Sequence, residues 1–172
     1  MASQFQVGRS VVVCMTLAVW PALAQTDIRT AVVKHLKTSR DFTLKVAEQM
    51  PEADYSFKLT PPQMSFAEQI THLAQEQAVF LAPFSNEKPS PGKPATMNKK
   101  DVLVFVRQSF DASIDKVSRL TPAQISKTYN SEEGSMTGLE LLMFLMDHTT
   151  HHRASAEMYL RAKGITPTEY QF

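Results

Sequence analysis

The sequence predicts an all-α protein, a four-helix bundle, and three observations predict it. Only five glycines occur in 172 residues and few stretches alternate with period two, so half-buried strands have little support. Apolar residues recur at spacings of three and four in four separate segments. Most of the ten prolines gather at Pro61-Pro62 and at Pro83, Pro89, Pro91 and Pro94, between those segments and not within them. A chain of this length is one domain, and 43% hydrophobic residues suffice for a core.

The first helix is expected from about Asp27 to Met50, with Thr26 as N-cap, Pro51 as stop, and Ile28, Val32, Leu36, Val46 and Met50 on its apolar face. An irregular stretch, Pro51 to Met64, follows. The second helix starts at Ser65, where Glu68 three residues on completes a capping box. Phe66, Ile70, Leu73, Gln77 and Phe80 mark its inner face, and it ends by Pro83. The segment to Met97, rich in Pro, Ser and Lys, reads as a solvated crossover loop. The third helix runs from the N-cap Asn98 to about Leu120, with Leu103, Val106, Phe110, Ile114 and Val117 as its stripe. Thr121-Pro122 caps a short helical turn before a polar segment, Lys127 to Ser135. The fourth helix extends from about Thr137 to Lys163, and Gly164 followed by Pro167 ends it. Four such helices argue for an antiparallel bundle.

The N-terminus reads as an export signal occupying residues 1–24, which leaves 25–172 for the bundle. Arg9 supplies the positive start, Val11 to Val19 an apolar run, and Ala22-Leu23-Ala24 a small-x-small cleavage site. The apolar stretch is shorter than the roughly 20 residues that span a bilayer. Cys14 lies inside that stretch after Val13, which disfavours a lipid-attachment site, and it is the only cysteine. A cleaved chain therefore has no disulfide and no thiolate nucleophile. Arg9 is the one charged leader residue, so its removal leaves 17 basic and 17 acidic residues. That balance, without a basic run, disfavours nucleic acid and anionic membranes as partners. A periplasmic or secreted protein without a membrane anchor is the expectation.

The sharpest chemical signal is His148-Thr149-Thr150-His151-His152. Residues four apart lie on one helix face, so His148 and His152 can offer two imidazoles to one ion. They continue the stripe through Leu141, Leu145 and Tyr159 and so interrupt a core face, where unpaired polar groups are costly. His72, mid-way along the second helix, is the candidate third ligand. Three imidazoles leave coordination positions open, the layout of a reactive site. His151 falls off this face, and His35 has no spacing that requires it at the site.

The run Ser65-Phe66-Ala67-Glu68-Gln69-Ile70-Thr71-His72-Leu73 resembles the S-F-x-E-x-x-x-H-L segment of the DinB-like family. His148 to Arg153, with Tyr159-Leu160-Arg161 and Gly164-Ile165, is similar to that family's H-x-x-x-H-R signature and its Y-L-R-x-x-G-I tail. The resemblance covers nearly the whole mature chain. It implies an up-up-down-down bundle, a three-histidine site for zinc or nickel, and a homodimer. Some relatives are thiol-dependent transferases or isomerases. Here Ala154 and Ser155 follow the His-Arg pair where the family commonly has glycine. Export would also separate the chain from cytosolic thiol pools, which counts against a thiol transferase.

Three readings follow. The first is a metal-dependent enzyme, hydrolase-like or transferase-like, with His72, His148 and His152 holding a divalent ion. The second is a metal- or small-ligand-binding module without turnover. The third is a structural, stress-related dimeric bundle. A hydrolase needs a base in reach, and Glu68 and Glu76 lie one turn before and after His72. Neither a G-x-S-x-G elbow nor a glycine-rich phosphate loop occurs. The substrate is not legible.

Overall fold

Asp27 opens the first helix: its carboxylate accepts the Arg29 N–H at 3.1 Å, which satisfies one of the helix's unpaired donors. The computed structural model describes residues 27–131 and 134–171, so the expected export signal lies outside the described residues; the cap is Asp27, one residue after the expected Thr26, because its carboxylate reaches the Arg29 N–H. Helix α1 (Ile28–Gln49) buries Val32, Leu36, Phe42 and Val46, whereas Ile28 is exposed, not part of the core face. Met50 is extended, as a residue before proline prefers, and Pro51 ends the helix. The stretch to Met64 is held down by backbone bonds: the N–H groups of Ala67 and Phe66 donate to the carbonyls of Tyr55 and Phe57.

Helix α2 (Phe66–Leu81) begins with the reciprocal cap expected of it. Ser65 Oγ accepts from Glu68 N at 3.2 Å, and Ser65 N donates to Glu68 Oε2 at 2.6 Å. All five residues of its expected inner face are buried. Helix α3 (Lys99–Ser118) is capped by Asn98 and buries Val102, Val106, Phe110 and Val117, with Leu103 and Ile114 on the edges of the stripe. The short α4 (Pro122–Ser126) carries a Thr121/Gln124 capping box. Helix α5 (Gly138–Ala162) closes the order with a Thr137/Glu140 box.

The polar segment after the short turn, given no regular structure from the sequence, forms an antiparallel hairpin, β1 (Thr128–Ser131) with β2 (Gly134–Thr137). The fold is thus mostly, not wholly, helical. Threonine, tyrosine and methionine pair across it, Thr128 with Thr137 and Tyr129 with Met136, residue types that suit a pleated surface. Tertiary contact makes so short a hairpin worth forming. Tyr129 packs on Phe84, ring centroids 5.1 Å apart, and its hydroxyl donates to the Gln124 carbonyl at 2.9 Å.

Helix directions follow from the bonds at the helix ends. Lys99 at the start of α3 donates through Nζ to the carbonyls of Glu48 and Met50 at the end of α1, and α2 starts at that same end through its bonds to Tyr55 and Phe57. Both α2 and α3 therefore run opposite to α1. Helix α5 starts against Ile125 and Phe84 and finishes beside Asp54, 2.7 Å from Lys163 Nζ, so it returns along α1. The order is up-down-down-up, which corrects the up-up-down-down expectation. The cause is the Pro-rich loop after α2, which runs back along the bundle before α3 begins. Antiparallel packing is accordingly confined to α1 with α3 and α2 with α5, and the α2–α5 pair carries the histidines. Among the described residues no helix is long and apolar enough to cross a membrane.

Candidate metal centre

Phe66, Ile70 and Leu73 turn the inner face of α2 into the core, which places His72 at the edge facing α5. On α5, Leu141, Leu145, Ala156 and Tyr159 are buried, and the same face carries His148 and His152 toward α2. The structure brings all three predicted imidazoles together. One ring nitrogen from each lies within 4.8 Å of the others, and all three residues are partly buried. Ring centroids are 4.4 Å apart for His148 and His152, 4.5 Å for His72 and His152, and 5.1 Å for His72 and His148.

The donor set fits a cation. Burial, and next the neighbouring imidazoles, push the pKa of His148 and of His152 down to about 4. Both rings are then neutral at pH 7, the form that ligates metal. His148 Nδ1 is buried and has no hydrogen-bond partner among the described residues, an arrangement that costs on the order of 1–3 kcal/mol unless something fills it. Two nitrogens each roughly 2.1 Å from one tetrahedral ion lie roughly 3.4 Å apart, so closure on an ion needs up to roughly 1.4 Å of contraction at the widest pair.

Other candidates separate from the cluster. His151 is exposed and stands edge-on to His152, ring centroids 4.9 Å apart, outside the ligand set. His35 is outside the cluster, and its pKa is lowered by burial and then by the Arg153 charge. Glu68 is committed to the α2 cap, whose Ser65 hydrogen bonds lower its pKa, and it lies 3.7 Å from Lys58 Nζ. Glu76 is the carboxylate beside the triad, Oε1 3.8 Å from His72 Nδ1.

Several supporting residues escaped sequence reasoning. Gln69 Oε1 lies 2.6 Å from His152 Nδ1, and Phe80 meets the His148 ring at 5.3 Å between centroids. Gln77, expected as part of the inner face, pins the two helices together. Its amide donates to Thr149 Oγ1 at 2.9 Å, and Thr149 in turn donates to the Leu145 carbonyl at 2.8 Å. Arg153, next to His152, is buried: Nη1 donates to Ser39 Oγ at 2.6 Å and the guanidinium lies 4.5 Å from the Phe42 ring centre. The spacing of Gln69 to His72, one helical turn, was the available signal for the first. Nothing local marks the others, because their partners are far away in sequence.

Two clefts border the cluster. One, of about 590 Å³, is lined by His72 itself with Thr71, Gln75, Met64, Met97 and Lys93. The other, of about 560 Å³, reaches Glu76 and Phe80 from the hairpin side, past Tyr129, Lys127 and Leu141. Both volumes suit small molecules.

Comparison with known proteins agrees with this architecture. The sequence model of the DinB family matches residues 24–172. The chain is 24% identical over 146 residues to the uncharacterized protein YjoA of Bacillus subtilis, covering 78% of this chain and 90% of that one. It superimposes on the crystal structure of the DinB-like YjoA protein with a TM-score of 0.70 and 24% identity, covering 81% of this chain and 96% of that one. A DinB-like protein from Bacillus cereus ATCC 10987 gives a TM-score of 0.71 at 17% identity, with 81% and 95% covered. At these identities the structures share the fold.

Proposed function

The chain belongs to the DinB family, and from that premise we propose that it is an exported metal-dependent enzyme, hydrolase-like or transferase-like, whose divalent ion is held by His72, His148 and His152. The observation that carries this reading is the convergence of three imidazole nitrogens from two helices within 4.8 Å. Zinc or nickel is the ion we assign, as the family resemblance implies, and imidazole nitrogen suits both. When bound, such an ion supplies positive charge and Lewis acidity at its open positions. The protein's own contributions are separate from that. His148 and His152 stay neutral through burial, Phe80 packs edge-on against the His148 ring, and Glu76 accepts a proton beside His72. The substrate enters by the clefts on either side.

Export rests on the leader-like residues 1–24, with cleavage after Ala24 and a periplasmic or secreted destination. The family match starting at residue 24 supports a leader that is additional to the domain. We also place the protein as a homodimer, a reading supported by Leu139, Met143 and Met158, exposed large apolar residues on α5. A mature mass by light scattering equal to one chain overturns it.

Metal analysis of the purified mature protein tests the centre. The expected result is about one ion per chain, lost in the His148→Ala/His152→Ala double variant. Metal-free wild-type protein, with unchanged stability in the variant, overturns it. Turnover is tested by a hydrolase substrate screen on the loaded protein. Glu76→Gln is expected to keep the ion and lower any hydrolysis found by about 10²–10⁴-fold. A binding bundle without turnover is the second reading, favoured by the commitment of Glu68 to its helix cap; an empty screen supports it.

A further inference from the structure

We propose that Gln69 is a positioning residue of the metal centre: it holds His152 as the Nδ1–H tautomer and so leaves Nε2 as the ligand atom. The inference rests on the metal-binding reading and deepens it. Gln69 sits one turn before His72 on α2, so this helix supplies one ligand and also the group that orients a ligand from α5. The Gln69 Oε1 to His152 Nδ1 separation is 2.6 Å, slightly inside the usual N–H···O hydrogen-bond distance. A neutral imidazole carries one ring proton; with that proton on Nδ1, donated to the amide oxygen, the lone pair is on Nε2.

His148 Nδ1 lacks a hydrogen-bond partner among the described residues, and the Glu76 carboxylate is 3.8 Å from His72 Nδ1, beyond hydrogen-bond distance. On His152 it is Gln69 that supplies the hydrogen-bonding group. Groups that hydrogen-bond a ligating histidine set its tautomer and ring orientation, and losing them weakens metal binding. An amide does this without adding negative charge. A carboxylate in its place would make the imidazole a more basic ligand and bind the ion more tightly.

The test uses nitrogen-15 NMR of the histidine rings in the metal-free mature protein, together with zinc affinity measured by competition with a chromophoric chelator. In the wild type His152 is expected to be protonated on Nδ1. Gln69→Leu should lose that tautomer preference and bind zinc about 10–100-fold more weakly. Gln69→Glu should restore the preference and bind at least as tightly as the wild type. Should the leucine variant fail to fold, Gln69→Asn, which is one methylene too short, replaces it with the same expected losses. His152 protonated on Nε2 in the wild type overturns the proposal. So does zinc affinity within about twofold of wild type in the leucine or asparagine variant. Wild-type protein that takes up no zinc overturns the metal centre itself, and the NMR arm then decides separately whether Gln69 holds the ring.

Discussion

His148 and His152 occupy positions where a proton is costly. Burial is the larger cause and the neighbouring rings the smaller, and both bring the folded pKa to about 4 against an ordinary value of 6.5. A histidine whose pKa is depressed by folding contributes stability that is fully present above about 6.5 and is lost as pH falls toward 4. The metal-free protein should therefore melt at progressively lower temperature as pH is taken from 7 to 4. In the His148→Ala/His152→Ala variant that slope should flatten, and an unchanged slope by calorimetry counts against buried neutral rings. Arg153 is a residue-scale case of another kind. Its guanidinium bonds Ser39, contacts Thr150 and stacks on Phe42, with a relative exposure of 2%. Arg153→Ala should cost on the order of 2–4 kcal/mol in denaturant unfolding. Arg153→Lys should recover less than half, because an ammonium lacks the planar fork that stacks on the ring.

Among the elements, helix starts are the parts most securely written in the local sequence. Ser65, Thr121 and Thr137 each form a capping box with a residue three positions on, and Asn98 caps α3 by its side chain alone. Ser65→Ala should lower stability by about 1 kcal/mol. At the other end of α5, Gly164 adopts φ +75°, and the Ile165 and Gly164 N–H groups close on the carbonyls of Leu160 and Arg161, as a helix-ending glycine allows. Gly138 is required for another reason. A Cβ there would stand 2.5 Å from the Gln124 carbonyl oxygen and 2.8 Å from that of Ile125, both backbone atoms with little room to yield. Gly138→Ala should thus destabilise by about 1–3 kcal/mol, measured by the same unfolding experiment. The contact is invisible locally, since it depends on how α4 meets α5.

At the scale of the molecule, the cluster joins α2 to α5, helices that are antiparallel and distant in sequence. An ion bound there links two parts of the fold that the unfolded chain keeps far apart. Zinc at about a hundredfold excess over its Kd should add about 2.7 kcal/mol of stability. The shift in Tm should reverse on chelation and be absent in the double histidine variant; an equal shift in that variant would place the ion elsewhere.

The sequence by itself determined the helical class, the helix starts other than that of α1, and the three imidazoles, because periodicity, caps and the four-residue spacing are local and act through neighbours in the chain. Only the tertiary structure decided the up-down-down-up order, the hairpin at residues 128–137, and the partners Gln69, Phe80 and Arg153. Each of those depends on where a segment meets another far from it in sequence. The same reason separates Glu76 from Glu68. Both lie one turn from His72, yet cap geometry turns Glu68 to Ser65, and helix packing leaves Glu76 beside the triad.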